Sequence, residues 1–91
     1  MTYYRKKPVV IEAQKWTGDN AQEIMTWVGG SKVVIWSSEP EQLRINTLAG
    51  TMIANIGDWV IRGVKGEFYP CKDDIFAATY EPTAEAGGER G

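Results

Sequence analysis

The stretch NIGDWVIRGVKGEFYPCK, residues 55–72, decides the fold. Gly57, Gly63, Gly66 and Pro70 interrupt it too often for a helix, and the runs between them, Trp59–Arg62 and Glu67–Tyr69, are rich in β-branched and aromatic residues. Ile56-Gly57-Asp58 and Val64-Lys65-Gly66 read as reversals, because glycine reaches the backbone angles that tight turns require and aspartate bonds to its own turn. Pro70 has no amide hydrogen to give a ladder, so the last strand is an edge or an ending. Two short strands joined by a tight turn predict an antiparallel hairpin.

The same grammar extends towards the N-terminus. Gln42–Thr47 (QLRINT) alternates, with Leu43, Ile45 and Thr47 on one face and Arg44 and Asn46 on the other. Leu48-Ala49-Gly50 turns the chain, and Thr51–Asn55 returns as a second hairpin arm. Lys32–Trp36 (KVVIW) is a short strand of the buried type, ended by a polar loop over Ser37–Glu41. Pro8–Trp16 reads as the first strand, with Val10, Glu12, Gln14 and Trp16 on one side and Val9, Ile11 and Ala13 on the other. Between these, Thr17-Gly18-Asp19-Asn20 supplies a turn and an N-cap. Ala21, Ile24, Met25 and Val28 then fall at helical spacing, and Gly29-Gly30 stops a helix over about residues 19–28. Past Pro70, the acidic Asp73 and Asp74 suit one helical turn at Ile75–Ala77, and Thr79–Glu81 reads as a short terminal strand. The expectation is an α+β fold: a small antiparallel meander carrying one short helix and a final helical turn. Residues 1–82 form this single domain, and 83–91 (TAEAGGERG), with nothing to bury, are expected to be a disordered tail.

Composition narrows the chemistry. With 91 residues, 43% hydrophobic and 24% charged, the chain supports one modest core and no second domain. No apolar run approaches the roughly 18 residues of a membrane span, and no apolar signal core follows the basic Arg5-Lys6-Lys7, so the expected compartment is the cytosol. There is no histidine and one cysteine, which removes the commonest general base, an internal disulfide and a zinc site of the Cys/His kind. Neither the basic start nor the acidic end is long enough for a nucleic-acid arm. The expectation is therefore a protein that binds without catalysing, with no metal and no cofactor.

Three groups of residues carry the candidate chemistry. Arg62, Lys65 and Lys72, with Tyr69, stand on or beside neighbouring reversals and make an anion site if the fold turns them to one side, with Gly63 and Gly66 letting backbone amides approach. The alternative is a solvated hairpin face with Lys65–Glu67 or Arg62–Asp58 ion pairs. Among the four tryptophans, Trp36 and Trp59 are expected in the core, whereas Trp16, at a strand end beside Thr17, and Trp27, off the apolar helix stripe, are the candidates for a ligand platform or an oligomer contact. Cys71 reads as a small core filler, and Asp58 as a turn residue. Asp58, Glu67, Asp73 and Asp74 have no spacing that predicts a shared catalytic cleft.

The strings YRKKPVVIEA (4–13), WTGD (16–19) and TLAGTMIANIGDWVIRGVKGEFYPCKDDIFAATYE (47–81) resemble a widespread family of small proteins encoded by bacteriophages and prophages. The resemblance ends at Pro82, and GDWVIRGVKGEFYPCKDDIF is its most specific part; Ile56 stands where the family usually has proline, which makes the following turn less rigid here. That family is similar to the anti-CBASS sponges, oligomeric phage proteins that sequester cyclic oligonucleotide immune signals without cutting them. The resemblance implies a homo-oligomer in the host cytosol during infection, binding a cyclic di- or trinucleotide and neither membrane nor polymeric nucleic acid. Arg62, Lys65 and Lys72 would hold phosphates. Trp16, Trp27 and Tyr69 would stack on or frame bases, and Thr17, Thr47 and Asn46 would reach base edges. The rival expectation is a protein–protein module that inhibits a host enzyme or serves in the virion, with the tryptophans as anchors. A third is a minor enzyme using Cys71 or the carboxylates.

Overall fold

A computed structural model describes residues 1–4 and 8–83. Its elements are β1 (Glu12–Lys15), α1 (Ala21–Val28), β2 (Val34–Ser38), β3 (Glu41–Thr47), β4 (Gly50–Asn55), β5 (Trp59–Arg62), β6 (Phe68–Cys71) and α2 (Asp73–Thr79). The fold is α+β, with every strand pairing antiparallel. The strands are divided over two three-stranded sheets, β1-β5-β6 and β2-β3-β4. Only the second is a meander. The division follows the pairing of β1 with β5, Glu12 opposite Arg62 and Lys15 opposite Trp59, which places β5 and β6 in a different hydrogen-bonded sheet from β4.

Boundaries move for identifiable reasons. β1 starts only at Glu12, because its partner turns away at Gly63 into the 63–66 reversal, where Gly66 N–H donates to the Gly63 carbonyl; Val9 is accordingly 44% exposed. β2 runs through Ser38 and reverses over Glu39 and Pro40, joined by a cis peptide, in place of the expected five-residue loop. Pro70 does lie in an edge strand. The turn expected at Ile75–Ala77 is a seven-residue helix that continues to Thr79, so the strand expected over Thr79–Glu81 does not form. The tail expected from Thr83 onward falls, after Thr83 itself, outside the described residues.

The core gathers Trp16, Ile24, Val28, Val34, Leu43, Ile45, Ala54, Val60 and Phe68 from both sheets and α1. On α1 the expected stripe docks, with Ile24 and Val28 buried and Ala21 and Met25 half-buried. Gly29 ends the helix in the left-handed region at φ 100°, and its amide donates to the Met25 carbonyl. Asn20 precedes the helix without capping it. Its side chain instead accepts the Thr17 amide at 3.0 Å and donates to the Lys15 carbonyl at 2.8 Å, which closes the turn between β1 and α1.

Candidate functional site

Alternation fixes the two faces of the β1-β5-β6 sheet. Val60 and Arg62 share one face with Phe68, Pro70, Glu12 and Gln14; Trp59 and Ile61 share the other with Tyr69, Cys71, Ala13 and Lys15. On the first face, Arg62 Nη1 donates to Glu12 Oε1 at 3.3 Å, and Trp27 Nε1 reaches the same oxygen at 3.2 Å. The guanidinium lies over the Phe68 ring, 5.8 Å from its centroid, and Trp27 meets that ring edge-on at 5.2 Å. Glu12 thus ties α1 and β5 to β1, and the Phe68 ring adds a cation–π contact to Arg62.

Beside this cluster, the β1/β5 ladder splits. Trp16 N–H donates to the Asp58 carbonyl, so hydrogen-bonded pairs recur at Gln14–Val60 and Glu12–Arg62, and the next would be Val10–Val64. That pair does not form. Between the diverging chains lies an open cleft of about 270 Å³, lined by Val10, Ile11, Glu12, Arg62, Gly63, Val64 and Gly66. Three apolar side chains, two glycines and one charge pair make its wall. Gly63 has a further steric reason: a Cβ there would collide with the Glu67 carboxylate, which folds back to accept the Lys65 amide at 3.0 Å.

Lys72 does not join the other two expected cations. Lys72 reaches Asp58 at 3.1 Å, at the far end of β5 from Arg62, which four residues of strand place about 13 Å away. Lys65 is exposed in the 63–66 turn. Neither anticipated ion pair is the one formed by a side-chain cation: Arg62 takes Glu12 and Lys72 takes Asp58. Thr17 stands near the Asp58 end and is engaged in its own turn, its hydroxyl 2.6 Å from Asp19 Oδ1.

The tryptophan assignments are corrected for Trp16, Trp36 and Trp59, the last of which lies outside the core. Trp16, expected as a surface platform, is fully buried, because the bonds Trp16 N–H to Asp58 and Gly57 N–H to Trp16 draw it beneath the turn. Trp36, expected in the core, is 44% exposed, because β2 is an edge strand with no neighbour beyond it. Trp27 is half-buried against the core, and its indole nitrogen is engaged by Glu12. Trp59 is half-buried on the second face, where Phe76 stacks on it at 4.0 Å and Asp73 accepts its indole N–H at 2.9 Å.

Tyr69 lies on that second face, away from Arg62. Burial, then a hydrogen bond with Tyr80, pushes its pKa from 10.0 up to about 12. Cys71, expected as a core filler, is only half-buried and lies outside the core, with its Sγ 3.6 Å from the Lys72 carbonyl oxygen. Asp58 is the buried turn residue, its Oδ2 accepting the Asn55 amide at 2.9 Å. Thr47 and Asn46 are used within the second sheet: Thr47 closes the β3–β4 turn at Gly50, and Asn46 donates to the Lys32 carbonyl. Among the described residues, no three histidine, cysteine or carboxylate side chains gather as a metal site requires. Among the described residues, no helix is long and apolar enough to cross a membrane. The cleft itself was not legible in the sequence; its signal is that the apolar run Pro8–Ile11 continues before Glu12 while the partner strand ends at Arg62 with Gly63.

No protein family, curated protein or solved structure matches this chain.

Proposed function

We propose that the protein is a phage-encoded, non-catalytic binder that sequesters a small anionic nucleotide signal of the cyclic di- or trinucleotide kind, with Arg62 at the split β1/β5 ladder as its phosphate contact. The observation that carries this reading is the cleft: an arginine fork, over the Phe68 ring, in the lining of a groove that it shares with Val10, Ile11, Val64, Gly63 and Gly66. The Arg62–Glu12 pair is about half exposed on both sides and uses one guanidinium nitrogen, so a ligand anion can share the fork's remaining donors. At about 270 Å³ the cleft is slightly below the roughly 300 Å³ at which small-molecule sites begin, so it encloses part of such a ligand. With Trp16 buried and Trp27 engaged, base contacts fall to the apolar walls rather than to the indoles.

Calorimetric titration with a panel of cyclic di- and trinucleotides tests the proposal. One member binds with micromolar or tighter Kd, and Arg62→Ala weakens it tenfold or more, the loss of a charge-assisted bond being worth about 1.5–3 kcal/mol. Absence of heat with every member at micromolar protein overturns it.

A second reading, a protein–protein module, draws on a different surface. Ile35 and Ile53 are 47% and 45% exposed and flank Arg44 in one cross-strand row on the outer face of β2-β3-β4. Retention of a single host protein at stoichiometric amounts in a pull-down, lost in Ile53→Lys, supports that reading.

A further inference from the structure

We propose that β2 is the seam of a two-fold dimer in which the β2-β3-β4 sheets of two copies join edge to edge, centred on Trp36.

The backbone of β2 is already arranged for this. Asn46 N–H donates to the Val33 carbonyl, so Ile35 and Ser37 direct their amides and carbonyls to β3, while Val34, Trp36 and Ser38 direct theirs to the open edge. The Val34 amide is taken by the Gly30 carbonyl at 3.3 Å. The outward groups left at the edge include the Val34 carbonyl, both backbone groups of Trp36 and the Ser38 amide. An antiparallel partner placed about a two-fold axis at Trp36 sets Trp36 opposite Trp36, and Val34 opposite Ser38 of the second copy. Each outward amide then meets an outward carbonyl.

Side chains and charges fit the same register. Trp36 lies on the core-side face, next to the fully buried Leu43, yet is 44% exposed; a second Trp36 across the axis covers that surface and extends the core. Lys32 precedes the strand, and Glu39 and Glu41 follow it. The two-fold pairing brings Lys32 of one copy opposite Pro40 of the other, between Glu39 and Glu41. All three are exposed, and among the described residues none forms an ion pair within its own chain.

The other edges are protected in ways that β2 is not. β1 carries Glu12 and Lys15, β6 carries Pro70, and β4 lies against β6. β2, Val-Ile-Trp-Ser-Ser, has no charge, proline or bulge to discourage a partner strand.

Sedimentation equilibrium on the full chain tests the proposal, with substitutions of opposite charge at the axis. The wild type has a mass near twice 10.1 kDa at micromolar concentration. Trp36→Lys and Trp36→Glu, each with an unchanged far-ultraviolet spectrum, are monomers alone and recover the dimer when mixed in equal amounts, which a folding defect would not do. Ile53→Lys, on the outer face of β4, leaves the dimer intact. A wild type that stays monomeric, or a Trp36→Lys protein that stays dimeric, or a dimer lost in Ile53→Lys and kept in Trp36→Lys, overturns it.

Discussion

Asp58 Oδ2 accepts both the Asn55 amide and the Lys72 ammonium from a position only 7% exposed. Those two bonds clamp the β4–β5 turn to the end of β6. Asp58→Ala leaves the Asn55 amide without its partner, and the expected loss is about 1–3 kcal/mol of unfolding free energy in urea titration. Lys72→Ala, removing an exposed ammonium, costs under about 1 kcal/mol. Equal losses in the two variants would contradict this division of labour. At this scale the sequence was half legible. The pattern Gly57-Asp58 announced a turn because the turn's chemistry is local, and Gly57 does take φ 100°. Which cation would answer Asp58 was not legible, because Lys72 arrives through the ladder that pairs β5 with β6, not through a sequence neighbour. The tryptophans failed for the same reason: an indole's exposure depends on what lies across its strand. Nothing local tells that β2 has an open side or that Trp16 lies beneath the Asp58 turn.

At the scale of elements, α2 is the informative case. None of its residues is buried, and it is held by side-chain contacts to the second face of the β5–β6 hairpin: Asp73 on the Trp59 indole, Phe76 stacked on Trp59, and Tyr80 against Phe76 and Tyr69. The Tyr69 phenol is therefore a reporter of α2 docking. Its pKa is 10.0 when unfolded and about 12 when folded, so the folded state favours the protonated phenol. That stability is fully present below pH 10.0 and is lost as pH rises from there through about 12, where the unfolded chain releases its proton first. Urea midpoints across this range are expected to fall more steeply for the wild type than for Tyr69→Phe; parallel curves would contradict the assignment. Strand β5 was legible to the residue, because glycines bound it on both sides. Helix α2 was read too short, since Asp73 and Asp74 mark a helix start while Ala77, Ala78 and Thr79 carry no stop. The partition into two sheets was not legible at all. Turn residues give the order of reversals, but the pairing of Glu12 with Arg62 joins segments from opposite ends of the domain.

Across the whole molecule, most of the charged and polar side chains in residues 55–72 serve the fold. Asp58 holds Lys72, Glu67 closes its own turn and Tyr69 holds Tyr80. Arg62 with Glu12 faces an open space at the point where β1 and β5 part. The sequence identified Arg62 as a candidate for what it is, a fork beside glycines, and placed Lys65 and Lys72 with it because they are close along the chain. The ladder carries Lys72 to the far end of β5, while Lys65 stays exposed in the 63–66 turn, between the cleft-lining Val64 and Gly66. The proposed ligand site is therefore Arg62 and the cleft beside it. Amide chemical shifts, followed while the full chain is titrated with a cyclic dinucleotide or trinucleotide, test this most directly. The predicted result is that Val10, Ile11, Gly63, Val64 and Gly66 move saturably and that Arg62→Ala abolishes the movement; resonances that stay fixed with every nucleotide, or that shift around Lys72 while the cleft stays still, would contradict it.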